Sequence, residues 1–274
     1  MPVLHFFGRS LGTFCFYLLP IRKKLALESL ALSFPEKSKA DNLRIVHGLY
    51  RHLGTLLVNH CLFPRMSPEY LAKRIKFIGD DLLHDAIAKG RGVVLTGAHF
   101  GDWEVGSLAL AASGIPLSVV TAAIHNPYVD KMIRQHRNHL GMKIIASKGI
   151  PIRNILVELK QKNCVGLLID QSAGRTGLLV DFFGRKASTA RGPAQFAVKT
   201  GAPLVLCMST PQGDGTHVMT FEKIVTDIEG LEGEAQLLHI TQDVTSRIEA
   251  HIRQNPKYWF GWIHRRWKIR PPKK

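Results

Sequence analysis

Residues 92–106 read Gly-Val-Val-Leu-Thr-Gly-Ala-His-Phe-Gly-Asp-Trp-Glu-Val-Gly. The apolar and β-branched run Val93–Thr96 predicts a buried strand. Glycines on both sides of the next residues permit a sharp backbone turn, and a helical pattern follows. The stretch therefore predicts a strand, a turn and a helix start, with His99 in the turn and Glu104 in the first helical turn.

Short apolar runs and helical patterns alternate along the chain that follows. Further strands are predicted at Leu117–Thr121, Lys143–Ala146, Cys164–Ile169 and Leu204–Met208. The helices are predicted at Asp102–Ala112, Tyr128–Leu140, Ile152–Lys160, Gly192–Thr200 and Glu234–Arg253. Gly213-Asp214-Gly215 predicts a hairpin turn into an antiparallel strand at His217–Ile224. This alternation is typical of an α/β fold with a mainly parallel central sheet flanked by helices.

The N-terminus is apolar but short. Its uninterrupted stretch, Ser10–Ile21, falls well below the roughly 20 residues that span a bilayer. Aromatic residues and the basic cluster Arg22, Lys23 and Lys24 favour a helix in the membrane interface, with the body in the cytoplasm. A helix packed on the domain surface is the alternative.

Two more helices, at Ile21–Phe34 and Asp41–Phe63, complete the N-terminal part. Neither a repeat nor a flexible linker divides the chain. The predicted organisation is a membrane-associated helical segment at residues 1–66 and a catalytic domain at residues 67–274.

Charge narrows the choice of partner. The chain has 37 Lys and Arg against 21 Asp and Glu, a net charge of +16, so a polyanionic partner is expected. Nucleic acid, anionic lipid, phosphorylated glycolipid and acidic carrier protein all fit. The cysteines, Cys15, Cys61, Cys164 and Cys207, are widely spaced, which argues against a zinc ribbon and a disulfide framework.

The spacing His-x4-acid is a weak signal by itself. The sequence contains three such pairs, His99/Glu104, His125/Asp130 and His217/Glu222. An offset of five puts side chains on opposite faces of a strand, which excludes the pair at His217. A turn leading into a helix can bring the two together, and both His99 and His125 meet that condition. His99 is favoured because it follows the most apolar strand, at a sheet edge where ligands bind.

Such a pair suits acyl transfer to an alcohol. A neutral imidazole can take the hydroxyl proton and hand it to a leaving thiolate. A carboxylate on the other ring nitrogen orients the base, so Glu104 is predicted to hold His99. Backbone N–H groups around Gly101 or a nearby arginine are candidates for holding the oxyanion. None of the predicted strands is followed by a GxSxG elbow, which favours direct attack over an acyl-enzyme.

Four blocks, in order, carry a resemblance to a known family. They are Gly92–Glu104, Asn126–Gly141 with Arg137, Asp170–Ala194 and Trp259–Lys268. With its His-x4-Glu (HX4E) motif, the chain resembles the lysophospholipid/glycerol-phosphate acyltransferase superfamily. More closely it resembles the late lauroyl/myristoyl acyltransferases of lipid A and lipopolysaccharide biosynthesis.

The resemblance implies a glycerol-phosphate acyltransferase-like fold and an acyl chain donated by acyl-carrier protein or acyl-CoA. The implied acceptor is a hydroxyl of a lipid A precursor, a phosphoglycolipid. Another glycolipid or an aminolipid is the alternative acceptor. The resemblance also implies no metal, no cofactor, and attachment to the cytoplasmic face of the inner membrane.

Several other residues are candidates for the site. Arg137, Arg175 and Arg191 are expected to bind the oxyanion or substrate phosphates, although surface arginines in a basic loop are the alternative. Asp170 and Gln171 are expected to support the catalytic turn, with a purely structural Asp170 equally open.

The C-terminal tail from His251 onward is basic and interleaved with Trp259, Trp262 and Trp267. Tryptophans beside cations are typical of a protein that rests on an anionic membrane. The same pattern fits single-stranded nucleic acid, but that alternative leaves the His99 block unexplained, and we expect no nucleic-acid partner.

Overall fold

The computed structural model of the protein describes residues 2–267. The helices are α1 Pro2–Leu18, α2 Lys23–Ser33, α3 Lys39–Leu62, α4 Pro68–Ala72, α5 Asp80–Ala88, α6 Trp103–Ala112, α7 Pro127–His139, α8 Pro151–Lys160, α9 Gly192–Thr200 and α10 Gly233–Gln254. The strands are β1 Ile75–Ile78, β2 Val93–Gly97, β3 Leu117–Thr121, β4 Lys143–Ala146, β5 Cys164–Leu168, β6 Leu178–Phe182, β7 Arg185–Thr189, β8 Leu204–Pro211 and β9 His217–Ile224. Short 3-10 turns lie at Phe63–Arg65, Pro256–Tyr258 and Phe260–Ile263.

Seven strands form the central sheet in the order β1-β9-β8-β2-β5-β3-β4. Every neighbouring pair is parallel except β8 and β9, which are antiparallel. The predicted α/β fold with a mainly parallel sheet is therefore confirmed. Neither β1 nor the antiparallel hairpin of β6 and β7 was predicted, because both are short and lie outside the most apolar runs.

The sheet separates two apolar clusters. Val94 belongs to one cluster, whereas Val93 and Leu95 belong to the other, because successive side chains of a strand point to opposite faces. The N-terminal helices share the first cluster with the central sheet through residues such as Leu30 and Leu49. Burial of these side chains therefore ties the N-terminal helices to the sheet.

Helices α1 and α3 approach closely at glycines. The place of a Cβ on Gly12 is taken by the carbonyl oxygen of Tyr50, and that on Gly54 by the carbonyl oxygen of Gly8. Only glycine allows this approach, so these residues fix α1 against α3. In the described part of the chain, no helix has both the length and the apolar character needed to cross a membrane.

The aromatic C-terminal stretch corrects one expectation. Trp259 and Trp262 are fully buried in the first cluster, and Arg266 is 1% exposed. These tryptophans therefore cannot rest on a membrane or stack on nucleic-acid bases. Residues 268–274, the end of the predicted basic tail and of the resemblance block, lie outside the described residues.

Candidate active site

His99 lies in the turn between β2 and α6, at the carboxyl end of the central strands. The turn is fixed by its backbone. Phe260 donates its N–H to the His99 carbonyl at 2.9 Å, and Gly101 donates its N–H to the Tyr258 carbonyl at 2.9 Å. The ring of His52 contacts the Gly101 carbonyl at 3.0 Å. His99 is thus presented by a rigid turn.

Gly101 is required in this turn for two reasons. Its φ of 57° is in the left-handed region, and the carbonyl oxygen of Ser209 occupies the place of a Cβ. Backbone N–H groups around Gly101 stay predicted candidates for an oxyanion site, but the N–H of Gly101 itself is donated to Tyr258. Gly101 contributes backbone shape instead.

The carboxylate that contacts His99 is Asp170. Strand β5 pairs with β2, and Asp170 follows the end of β5, so the two residues lie side by side at one sheet edge. His99 Nδ1 is 2.8 Å from Asp170 Oδ1. The other oxygen, Oδ2, accepts a hydrogen bond of 2.8 Å from Trp259 Nε1. Asp170 is 2% exposed, so both contacts are shielded from water.

This contact sets the charge states of both groups. Burial acts to lower the pKa of His99, but the charge and hydrogen bond of Asp170 and the charge of Glu104 outweigh it and raise that pKa above 6.5. Burial acts to raise the pKa of Asp170, yet His99 and Trp259 hold it below the usual value. An ionised carboxylate only accepts hydrogen bonds, so Nδ1 carries the proton and Nε2 has the free lone pair.

Glu104 has a different partner from the one predicted. Its two oxygens accept hydrogen bonds from Arg137 Nε at 2.5 Å and Arg137 Nη2 at 2.8 Å. Both side chains are largely buried, at 8% and 12% exposure. The prediction that Glu104 orients the ring of His99 is therefore corrected: Asp170 makes that contact, and Glu104 acts on His99 through its charge.

The other predicted arginines are dispersed. Arg175 is exposed in the turn before β6. Arg191 precedes α9 and lies 3.5 Å from Glu234. The nearby Arg185 stacks on Trp267, with its guanidinium carbon 3.6 Å from the ring centre. Gln171 is exposed, and its carbonyl is 3.5 Å from Arg266 Nη1. The structure brings His99, Glu104, Arg137 and Asp170 together, whereas Arg175 and Arg191 belong to other surroundings.

Three residues near His99 were not predicted as site residues. The Trp103 ring lies 5.1 Å from the His99 ring, and Phe260 lies 6.4 Å away. His264 packs on Phe260, and burial together with Arg22 and His99 lowers its pKa. Phe260 and His264 belong to the C-terminal block Trp259–Lys268. The family resemblance of that block was the sequence signal that could have identified them.

A narrow apolar pocket of about 50 Å³ opens beside the turn that carries His99. Its walls come from β2, α6, β3, β5 and β8. Among them are Leu95, Trp103, Leu110, Val119, Gly166 and Leu168. A Cβ on Gly166 would lie 3.2 Å from Val119, so glycine keeps this space open. The pocket offers apolar surface within the same turn region as His99.

The rival histidine pairs do not form. His125 is exposed, and Asp130 instead caps Ile124 and bonds Arg134. His217 and Glu222 lie in β9, and Glu222 bonds residues of α10. The predicted exclusion of His217 by strand geometry is confirmed.

Parallel strands bring a histidine and a buried carboxylate to one sheet edge, beside an apolar pocket. This arrangement is typical of an α/β enzyme that acts on an apolar substrate. Comparison with known proteins gives the particular family. The family described as bacterial lipid A biosynthesis acyltransferase matches residues 1–269. The chain belongs to that family.

Individual relatives agree with this membership at low identity. The lipid A biosynthesis palmitoleoyltransferase of Escherichia coli is 26% identical over 98% of this chain and 86% of its own length. The lauroyltransferase of the same organism is 24% identical over 98% and 87%. The phosphatidylinositol mannoside acyltransferase of Mycolicibacterium smegmatis is 26% identical over 72% of this chain and 64% of its own length, less than two thirds of that protein.

Proposed function

We propose that the protein transfers a fatty acyl chain from a thioester of acyl-carrier protein or coenzyme A to a hydroxyl of a lipid A precursor. The observation that carries the proposal is the 2.8 Å contact between His99 Nδ1 and Asp170 beside the apolar pocket. A histidine held in this way has one nitrogen left for an alcohol proton.

The proposed reaction is a direct displacement. His99 Nε2 takes the proton of the acceptor hydroxyl as its oxygen attacks the thioester carbonyl carbon. The C–S bond then breaks, and the imidazolium returns the proton to the leaving thiolate. Asp170 stabilises the imidazolium between these two transfers. Atoms and charges balance without a metal or a covalent acyl-enzyme.

The acyl chain is proposed to lie in the pocket lined by Leu95, Leu110 and Val119. Because the pocket is narrow, we expect Leu168, which is 41% exposed, to move when the chain enters. Gly166, which has no side chain, then determines how far the acyl chain extends into the pocket. We propose that Arg137 binds the oxyanion or a substrate phosphate through Nη1, which makes no hydrogen bond to Glu104. Arg175 and Arg191 remain predicted ligands of substrate phosphates.

The proposed acceptor rests on the share of this chain that each relative matches. Identity does not separate the lipid A palmitoleoyltransferase from the phosphatidylinositol mannoside enzyme, at 26% for both. Coverage favours lipid A, since that relative matches 98% of this chain against 72%. A mannosylated phospholipid is therefore the second candidate acceptor. Both are phosphorylated glycolipids, which suits the charge of +16.

Attachment to the cytoplasmic face of the inner membrane is proposed through α1. Its outer face exposes large apolar side chains that the protein leaves uncovered. They include Val3, Phe6, Phe7, Leu11, Phe14 and Leu18. Such a face is suited to the boundary between headgroups and acyl chains. Lys24, with a side chain 92% exposed, adds a cation at the start of α2.

Mass spectrometry of total lipid tests the proposal. Cells that express the chain are expected to contain a glycolipid heavier by one acyl group than cells without it. Cells that express His99→Ala at equal level should lack that species. Unchanged lipid masses with the unaltered chain, or a heavier species that persists in His99→Ala, would contradict the proposal. Purified chain with acyl-carrier-protein or coenzyme A thioesters then identifies the donor.

A further inference from the structure

A second cavity lies next to the turn that carries His99 and shares no lining residue with the apolar pocket. It has a volume of about 380 Å³, is open to solvent, and is lined by α1, α3, the β8–β9 hairpin and the turn Pro256–Tyr258. Its walls include Tyr258 and Asp102, which belong to the backbone network around His99. None of its residues takes part in the proposed acyl transfer.

The cavity is strongly cationic. Arg9, Arg44, Arg51 and Lys257 line it, against a single carboxylate, Asp102. Arg44 is paired outside the cavity with an aspartate of its own helix. Among residues 2–267, neither Arg51 nor Lys257 has a carboxylate within ion-pair distance. Arg9 donates to the Gly213 carbonyl and has no carboxylate partner among these residues either. Three cations without a carboxylate partner thus face one space, an arrangement that attracts an anion.

Buried histidines form the inner wall. His217 is 6% exposed, lines the cavity, and its buried Nδ1 has no hydrogen-bond partner among the described residues. A buried polar atom without a partner costs stability, so a ligand that satisfies it would be favoured. His5 and His52, both 7% exposed, flank it.

The charge states of these histidines agree with an anion site. Burial, with smaller effects of neighbouring cations, lowers the pKa of His52 to about 4 and lowers that of His217. Asp102 is the carboxylate that opposes this effect at both rings. The rings are therefore neutral at pH 7. His52 donates its one N–H to the Gly101 carbonyl, whereas His217 can donate an N–H to a bound oxygen.

We propose that this cavity binds a phosphate group, with His217, Arg51 and Lys257 as its ligands. Phosphate offers several acceptor oxygens and carries the charge that separate cations and an imidazole N–H can satisfy together. The group comes either from free phosphate or from the headgroup of an anionic phospholipid. The lipid source fits the position of His5 and Arg9 on α1, whose opposite face is apolar and exposed.

Occupancy would reach the catalytic turn through three short contacts. His52 contacts the Gly101 carbonyl at 3.0 Å. Asn59 donates to Asp102 at 2.6 Å and contacts the ring of His5 at 2.9 Å. The wall of the proposed phosphate site therefore also contacts the turn that presents His99. The binding itself does not depend on the proposed acyl transfer.

Calorimetry of the full chain in neutral detergent tests the site with inorganic phosphate as the probe. Arg51→Gln/Lys257→Gln removes two exposed cavity cations and is expected to weaken phosphate binding at least tenfold. The matched control, Arg153→Gln/Lys160→Gln, removes two cations from α8 and should leave binding unchanged. Equal binding by both double variants would overturn the proposal.

Nitrogen NMR of the imidazoles gives a second readout and separates the sources. The resonances of His217 are identified by their loss in His217→Gln. We expect them to shift with inorganic phosphate, with vesicles of phosphatidic acid in phosphatidylcholine, or with both. A response to the vesicles alone identifies a lipid headgroup, and a response to inorganic phosphate identifies a free-phosphate site. Absence of any shift with either probe would contradict the proposal.

Discussion

The end of β5 and the start of α6 each bring a buried carboxylate toward His99, and the two differ in what they bind. Asp170, after β5, contacts the ring of His99 and the indole of Trp259. Glu104, in α6, gives both oxygens to Arg137. Asp170 is therefore available to stabilise a proton on His99, whereas the charge of Glu104 is neutralised by the permanent cation of Arg137.

The difference shows that spacing along the chain does not select the partner of a histidine. Glu104 is five residues from His99, but the helix directs its side chain to α7. Asp170 is 71 residues away and is brought alongside because β5 pairs with β2. The pairing of β5 with β2 thus places Asp170 in contact with His99, whereas the local spacing had suggested Glu104.

The largest expected effect is on turnover in Asp170→Asn. An amide cannot stabilise the imidazolium and favours the wrong ring tautomer, so turnover should fall by roughly 10²–10⁴. Initial rates of acyl transfer with a thioester donor measure the loss. The mirror change, Glu104→Gln, should cost about tenfold, because it removes only a charge near the ring. A greater loss in Glu104→Gln would reverse the assignment of the two carboxylates.

Glu104→Gln should instead have its main effect on stability. The change leaves Arg137 largely buried without its charge partner and should lower the free energy of unfolding by about 2 kcal/mol. Urea unfolding followed by tryptophan fluorescence measures this. The double variant Glu104→Gln/Arg137→Met should recover more than half of the loss. Additive losses in the double variant would show that the two side chains do not act as a pair.

A smaller effect is expected from Trp259→Phe, which removes one hydrogen bond from Asp170 and leaves Glu104 untouched. Without the indole N–H, Asp170 is held less firmly, and turnover should fall by roughly tenfold, the value of one such hydrogen bond. Trp262→Phe is the matched control, because Trp262 is equally buried and bonds the Pro256 carbonyl instead. Equal turnover in the two variants would mean that the Trp259 contact is only structural.

Much of the sheet could be predicted from the sequence, because buried parallel strands are continuous apolar runs. The runs at Val93–Thr96 and Cys164–Ile169 correspond to β2 and β5 within one residue. The hairpin at Gly213–Gly215 was also marked by its own residues. By contrast, β6 alternates buried and exposed residues over only five positions. Strand β7 is equally short and consists largely of polar residues, so neither forms an apolar run.

The two ends of the chain show why the rest could not be predicted. Both are rich in aromatic residues with basic neighbours, and both suggested membrane contact. The structure exposes Phe6 and Phe7 but fully buries Trp259 and Trp262. The two ends of the chain have similar compositions. Only long-range packing against the sheet determines whether an aromatic side chain is buried or exposed.

The central claim is that Asp170 controls the charge of His99, and NMR titration of the His99 imidazole tests it most directly. In the unaltered protein His99 should titrate above pH 6.5, because the charge and hydrogen bond of Asp170, together with the charge of Glu104, outweigh burial. In Asp170→Asn burial dominates, and the titration should move to lower pH, whereas Glu104→Gln should shift it less. A His99 titration that Asp170→Asn leaves unchanged would contradict the account.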